Sequence, residues 1–209
     1  MIKILNEQNL VHICTELSKS DSDLAIIFNT YGTPPLWARE ANFSTLIHII
    51  LEQQVSLASA LSAFNKLQEK LGDITPKRVL DLSDAEFKLC YFSRQKTVYA
   101  RELSKAILNG DLDLDKLHLQ PNEHVKIELK KIKGFGDWTS DIYLLMGLLR
   151  ADVMPKGDLA LHIAWQKLKG LPSRPTSDEF IKIAEKWSPF RAVAARLLWH
   201  FYLSVKKPK

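Results

Sequence analysis

A chain of 209 residues, 46% of them hydrophobic, is long enough for one large domain or two small lobes with a shared core. Its 29 lysines and arginines outnumber 24 aspartates and glutamates, and the resulting +5 charge and isoelectric point near 9.1 favour an acidic partner such as nucleic acid. Two cysteines cannot supply the thiolates of an iron–sulfur cluster or a structural zinc site, no apolar run approaches membrane-spanning length, and Met1 to Asn6 lack a signal-peptide layout, so the expectation is a soluble, intracellular protein.

The chain reads as helix after helix. Leu10, Ile13, Cys14 and Leu17 mark a first helix and Leu24 to Phe28 a short second, before Tyr31-Gly32-Thr33-Pro34-Pro35 breaks the pattern. Cys14 and Cys90 both fall in apolar helical patterns and read as core thiols in a reducing compartment. Phe43 to Leu51 is a strongly apolar helix ending at Glu52-Gln53-Gln54-Val55. Ser56 then caps a helix with Leu57, Leu61, Phe64, Leu67 and Leu71 on one face. Ser83 with Glu86 forms a capping box, and Ser93 to Asn109 makes a longer helix closed by Gly110. Asp111 to His118 is short and isolated and reads as a loop. Val125, Leu129 and Ile132 define a helix with Pro121 suited to its first position, and Gly134 stops it. Trp138, Ile142, Leu145 and Leu149 give the next stripe, starting near Gly136 or Asp137. Asp158 leads into a helix marked by Leu161, Trp165 and Leu168. Thr176 with Glu179 boxes another that ends near Trp187, and Ser188-Pro189 opens a last helix through Tyr202. Lys206-Lys207-Pro208-Lys209 reads as a frayed tail. With no strand pair or repeat, the fold class is all-α.

The Gly134-Phe135-Gly136 hairpin carries the first chemical signal. Two glycines permit positive φ and close approach to a ligand, and the N–H groups opening the following helix present the positive end of its dipole to an anion such as phosphate. A plain helix–helix turn uses the same residues. Downstream, Asp158 in Met154-Pro155-Lys156-Gly157-Asp158-Leu159 is placed either to cap a helix or to act as a catalytic carboxylate. Asp137, Asp141 and Asp152 are other carboxylates of this stretch, and Glu52 is a further one near Gln53-Gln54.

Four separated pieces resemble the helix-hairpin-helix (HhH-GPD) DNA glycosylases, and within them the alkylbase, or 3-methyladenine, DNA glycosylases. They are Ile50-Leu51-Glu52-Gln53-Gln54-Val55-Ser56, the hairpin Ile132 to Thr139, the Pro155 to Asp158 turn, and Trp187-Ser188-Pro189-Phe190-Arg191 with Trp199 beyond. The resemblance runs from about Phe43 to Phe201. It implies two helical lobes with the nucleotide in the cleft between them. One lobe would comprise residues 42–150 with the helix-hairpin-helix at about 122–149, and the other residues 1–41 plus 151–209, carrying Asp158.

In such enzymes the carboxylate at the Asp158 position stabilises positive charge on the sugar as the N-glycosidic bond breaks, and orients or deprotonates the attacking water. Members that also nick the strand carry a lysine where this chain has Trp138, whose indole cannot form a Schiff base. The resemblance therefore implies a monofunctional base excision repair glycosylase that removes alkylated purines such as 3-methyladenine and 7-methylguanine and leaves an abasic site. Trp138 and Trp199 match aromatic pocket positions suited to cationic bases, although ordinary core packing explains both as well. Hypoxanthine and ethenoadenine fit such a pocket too.

Gln54 falls at the family's intercalating wedge, which fills the stack once a base is flipped out. Arg94 and Lys96, at a helix start, suit phosphate contact. The hairpin is similar to ones whose backbone carbonyls, here of Lys130, Ile132 and Phe135, hold a Na+ or K+ ion against a DNA phosphate; no other cofactor is implied. Lys133 departs from a frequent proline, and Lys156-Gly157 from a frequent acidic neighbour of the aspartate. The expected partner is double-stranded DNA with alkylated bases, bound by a monomer acting in the cytoplasm and not at a membrane. A non-catalytic helix-hairpin-helix DNA-binding module is the alternative.

Overall fold

A computed structural model describes residues 3–206; of the tail expected at Lys206 to Lys209, Lys206 closes the last helix and residues 207–209 lie outside the described residues. The helices, in chain order, are α1 (Glu7–Ser20), α2 (Ser22–Tyr31), α3 (Phe43–Glu52), α4 (Leu57–Leu71), α5 (Pro76–Leu80), α6 (Asp84–Leu89) and α7 (Arg94–Leu108). They continue with α8 (Leu114–Leu117), α9 (Asn122–Lys130), α10 (Asp137–Ile142), α11 (Leu159–Lys169), α12 (Ser177–Ala184) and α13 (Arg191–Lys206). Among the described residues there is no strand, only an isolated antiparallel bridge between Ile4 and Arg150.

The chain divides into two compact units, one of residues 1–38 with 144–209 and the other of residues 39–143. The first is closed by its own ends. Leu5 N–H donates to the Leu149 carbonyl at 2.7 Å and Ala151 N–H to the Lys3 carbonyl at 3.0 Å, so the start of the chain is stitched to the segment that re-enters the unit. α13 supplies its spine, packing on α1, α2 and α11. The run Ala192 to Trp199 is buried throughout, and its alanines let the neighbouring helices approach closely. Asp21 shows how the polar atoms of this core are satisfied: it caps α2 through Asp23 and Leu24 N–H, and accepts the Trp187 indole N–H at 2.8 Å.

In the second unit α3 packs on α4, α7 and α10, and α9 packs on α10. The capping boxes at Ser83 with Glu86 and at Thr176 with Glu179 form as the sequence predicts, and Ser56 and Ser93 cap α4 and α7. Both cysteines are buried, and burial pushes the Cys14 thiol up to about 12, leaving it inert.

Four local expectations need correction. Asp111 to His118 contains a helical turn, α8, because Asp113 accepts the Lys116 N–H and Leu117 is buried. The buried face of α4 is Ala60, Ala63 and Leu67, whereas Leu57 and Leu61 are 62% and 49% exposed. The small side chains permit close packing and turn the larger ones outward. Pro121 is the residue before α9 and not its first member. Finally, the stripe from Trp138 to Leu149 is not one α-helix: α10 ends at Ile142, a π-helical turn covers Tyr143–Gly147, and Leu149 has φ +53°. A π turn adds a residue to the helical repeat, so the steps of four, three and four overstate the helix.

Candidate active site

The hairpin joins α9 to α10 within the second unit. Gly134 takes φ +89°, and a Cβ there would overlap the Tyr99 ring on α7, so the position needs glycine twice over. Gly136 does not share that backbone. Its φ of −109° suits any residue, so the expectation of positive φ at both glycines is corrected, but the space around its missing Cβ is open. Phe135 turns its ring inward, 6% exposed, while its N–H donates to the Ile132 carbonyl at 3.1 Å. α10 starts at Gly136 without a side-chain cap, and Trp138 lies half-buried in its first turn.

The sequence did not reveal what holds this hairpin. Gln53, at the end of α3, donates Nε2 to both the Gly134 carbonyl and the Thr139 hydroxyl, each at 3.0 Å. That tether fixes the entry where Lys133 replaces the frequent proline. Lys126 adds an ion pair across α9 and α10 to the buried Asp141 at 2.9 Å, and Lys130 pairs with Asp137.

Gln54 is exposed at the tip of the turn after α3 and takes φ +57°, an uncommon conformation for a residue other than glycine. Arg94, the first residue of α7, is exposed. Lys96 differs from the expected surface cation. Its amine donates to the Leu51 carbonyl at 2.6 Å, where it satisfies the end of α3, and burial lowers its pKa.

Asp158 belongs to the first unit. It is 8% exposed and caps α11, its Oδ1 accepting Leu161 N–H at 3.0 Å and the Trp199 indole N–H at 3.1 Å. The indole bond fixes the orientation of both partners. Trp199 is as deeply buried, and Trp37 meets it edge-on with ring centroids 6.2 Å apart. No periodic pattern marks Trp37, which follows the proline segment.

The competing carboxylates are committed to cations. Asp152 is clasped by the Arg191 guanidinium at 2.7 and 3.0 Å, which overrides the effect of burial and holds its pKa below the usual range. Asp137 and Asp141 carry the lysine pairs described above. Glu52 forms a two-point pair with Arg39 at 3.0 and 2.6 Å, so this buried glutamate is a structural ion pair of its unit.

One turn beyond Asp158, His162 is buried against Phe180, and burial lowers its pKa although the Asp158 carboxylate opposes the shift. His48, stacked on Phe64, is lowered by the same cause. A histidine kept neutral in the folded state and protonated when unfolded contributes stability above its unfolded pKa of about 6.5 and loses it as pH falls below. Thermal midpoints are therefore expected to drop from pH 7 to pH 5, with a shallower drop in His162→Phe. Equal profiles for the two proteins would remove His162 from this linkage.

Comparison with known proteins adds a family to this geometry. The model of the HhH-GPD superfamily base excision DNA repair protein matches residues 47–190. The chain is 30% identical over 161 residues to DNA-3-methyladenine glycosylase 1 of Schizosaccharomyces pombe, covering 75% of this chain and 71% of that protein. It is 26% identical over 201 residues to the Bacillus subtilis protein YfjP, covering 92% and 69%. A solved structure of Schizosaccharomyces pombe 3-methyladenine DNA glycosylase in complex with abasic DNA superimposes with a TM-score of 0.85 at 28% identity, covering 90% of this chain and 95% of that one.

Proposed function

The chain belongs to the HhH-GPD superfamily of base excision DNA repair proteins, and from that premise we propose that it is a monofunctional DNA-3-methyladenine glycosylase acting on alkylated purines in double-stranded DNA. The observation that carries the reading is Asp158. It is a carboxylate only 8% exposed, set at the start of α11 with its Oδ1 accepting the Leu161 N–H and the Trp199 indole N–H.

The reaction follows from what these groups offer. The bond from the sugar C1′ to the purine N9 breaks, its electron pair leaves with the base, and the positive charge that alkylation at N3 or N7 placed on the ring is neutralised. The sugar becomes an oxocarbenium ion, which the Asp158 carboxylate stabilises. Water then bonds to C1′ and gives up a proton, for which Asp158 is the acceptor. A cationic base is already a good leaving group, so no second catalytic carboxylate is required. Trp138 stands where strand-cutting relatives use a lysine, and without an amine the chain forms no Schiff base and leaves the phosphodiester intact.

On the DNA side, the hairpin Gly134 to Gly136 and exposed Arg94 are assigned to the backbone, and Gln54, already presented outward at positive φ, to the gap left by the flipped nucleotide. Neutral carbonyl oxygens suit a monovalent cation, and the Ile132 carbonyl keeps a second lone pair beside its bond to Phe135 N–H. The carbonyls of Lys130, Ile132 and Phe135 would hold Na+ or K+ there, adding positive charge for a phosphate. Among the described residues no helix is long and apolar enough to cross a membrane.

The test is a duplex oligonucleotide carrying one alkylated purine. The strand is expected to stay whole until alkali is added, and borohydride is expected to trap no covalent adduct. A trapped adduct would contradict the monofunctional assignment.

A further inference from the structure

The start of α12 lies against the turn that presents Asp158. Lys156 pairs with Asp178 at 2.9 Å, and a Cβ on Gly157 would sit 3.7 Å from the Ser177 hydroxyl. Leu159 and His162 of α11, with Arg174, Thr176 and Ser177, line an open cavity of about 550 Å³ within the first unit.

Three features of this cavity suit an anion. His162 forms its floor at 7% exposure, and the imidazole Nε2 has no hydrogen-bond partner among the described residues. A buried polar atom is costly unless something completes its hydrogen bond. Arg174 is exposed and, among the described residues, has no carboxylate partner. Burial lowers the His162 pKa, and the Asp158 carboxylate and Arg174 guanidinium act on it in opposite directions, so both lie within electrostatic reach of the ring. The capping box of α12 uses the N–H groups of Thr176 and Glu179, which leaves those of Ser177 and Asp178 at the positive end of the helix dipole. Of the nearby carboxylates, Asp178 is paired with Lys156 and Glu179 accepts both Thr176 donors.

The place of the cavity identifies the anion. A helix rises about 1.5 Å per residue, so His162 lies about 6 Å along α11 from Asp158, within the reach of one nucleotide. On the reading of Asp158 as the carboxylate that meets the sugar, we propose that this cavity takes a DNA backbone phosphate beside the extruded nucleotide. Arg174 pairs with the phosphate oxygens, and His162 Nε2–H and the Ser177 hydroxyl donate to them. These are binding residues: they hold the sugar against Asp158 and take no part in bond breaking.

The test uses a duplex with one tetrahydrofuran abasic site, which binds without turnover, and methylphosphonate linkages that neutralise one phosphate at a time. Arg174→Ala is expected to weaken binding about tenfold and to lower the slope of log Kd against log salt by about 0.9, the value for one phosphate contact. Neutralising one phosphate adjacent to the abasic site is expected to weaken wild type similarly and to add nothing in Arg174→Ala. Arg174→Lys is expected to recover the salt slope and part of the affinity. His162→Phe, which keeps a ring against Phe180, is expected to lose about threefold through the same phosphate with the slope unchanged.

Unchanged affinity and slope in Arg174→Ala, or losses that add at every phosphate tested, would overturn the proposal. Displacement of the duplex by inorganic phosphate at matched ionic strength, without any methylphosphonate effect, would also overturn it, by marking a pocket for a free anion. A wild type that shows this coupling but frees no base would remove the glycosylase reading and keep the phosphate site. Base release without the coupling would remove the phosphate site alone.

Discussion

Replacing Asp158 with asparagine is expected to lower base release by a factor of about 100–1000 or more while changing folding stability by less than about 1 kcal/mol. The observed cap and the proposed catalytic role of this side chain make the variant informative. As a cap, Asp158 accepts Leu161 N–H and the Trp199 indole N–H on one oxygen, and an asparagine amide oxygen accepts the same bonds in the same place. Asparagine is also a favoured capping residue, so α11 keeps its start. What the substitution removes is the negative charge, the quantity that an oxocarbenium-like sugar requires. An Asp158→Asn protein that folds normally and still releases base at the wild-type rate would show that the carboxylate is only a cap. Asp158→Ala is a weaker test, since it loses cap and charge together.

Substituting Gly134 with alanine is expected to destabilise the protein by about 2–5 kcal/mol and to weaken DNA binding more than tenfold. The left-handed backbone at φ +89° accounts for about 1–2 kcal/mol, and displacement of the Tyr99 ring by the new methyl group for about 1–3 more. The Gly134 carbonyl is also an acceptor for Gln53, so any shift of the turn disturbs the tether to α3. Gly136→Ala provides the contrast. Its backbone is compatible with alanine and nothing lies near the added Cβ, so stability is expected to stay within about 0.5 kcal/mol while the methyl group obstructs an approaching phosphate. Titration of both variants with duplex DNA at two salt concentrations, beside thermal melts, separates the two effects. If Gly136→Ala bound DNA as tightly as wild type, the hairpin would lose its assignment to the backbone.

The parts of the fold that were legible are those set by neighbours in sequence. Ser56, Ser83, Ser93 and Thr176 bond to N–H groups three residues ahead, so their caps could be read from spacing alone. The turn at Gly134 and the cap at Asp158 were legible for the same reason, each set by a short local motif. What stayed hidden depends on distant parts of the chain. Whether α4 buries Leu57 and Leu61 or Ala60 and Ala63 is decided by how closely another helix packs on it, and a periodic count weights size over fit. The position of Lys96 at a helix start suits a surface cation, whereas its amine is bound to the Leu51 carbonyl 45 residues away, and nothing in the sequence around Gln53 marks its amide bond to the Gly134 carbonyl 81 residues away. Trp37 had no signal at all: it follows two prolines, belongs to no stripe, and meets its partner Trp199 only once α13 is in place.

The most direct measurement is chromatography of the bases released when the protein is incubated with methylated duplex DNA. Free 3-methyladenine or 7-methylguanine is expected in solution, in amounts matching the alkali-sensitive sites left in strands that are otherwise whole. Tight, salt-sensitive binding to the same duplex with no base released would contradict the enzyme assignment and leave a helix-hairpin-helix module that only holds DNA.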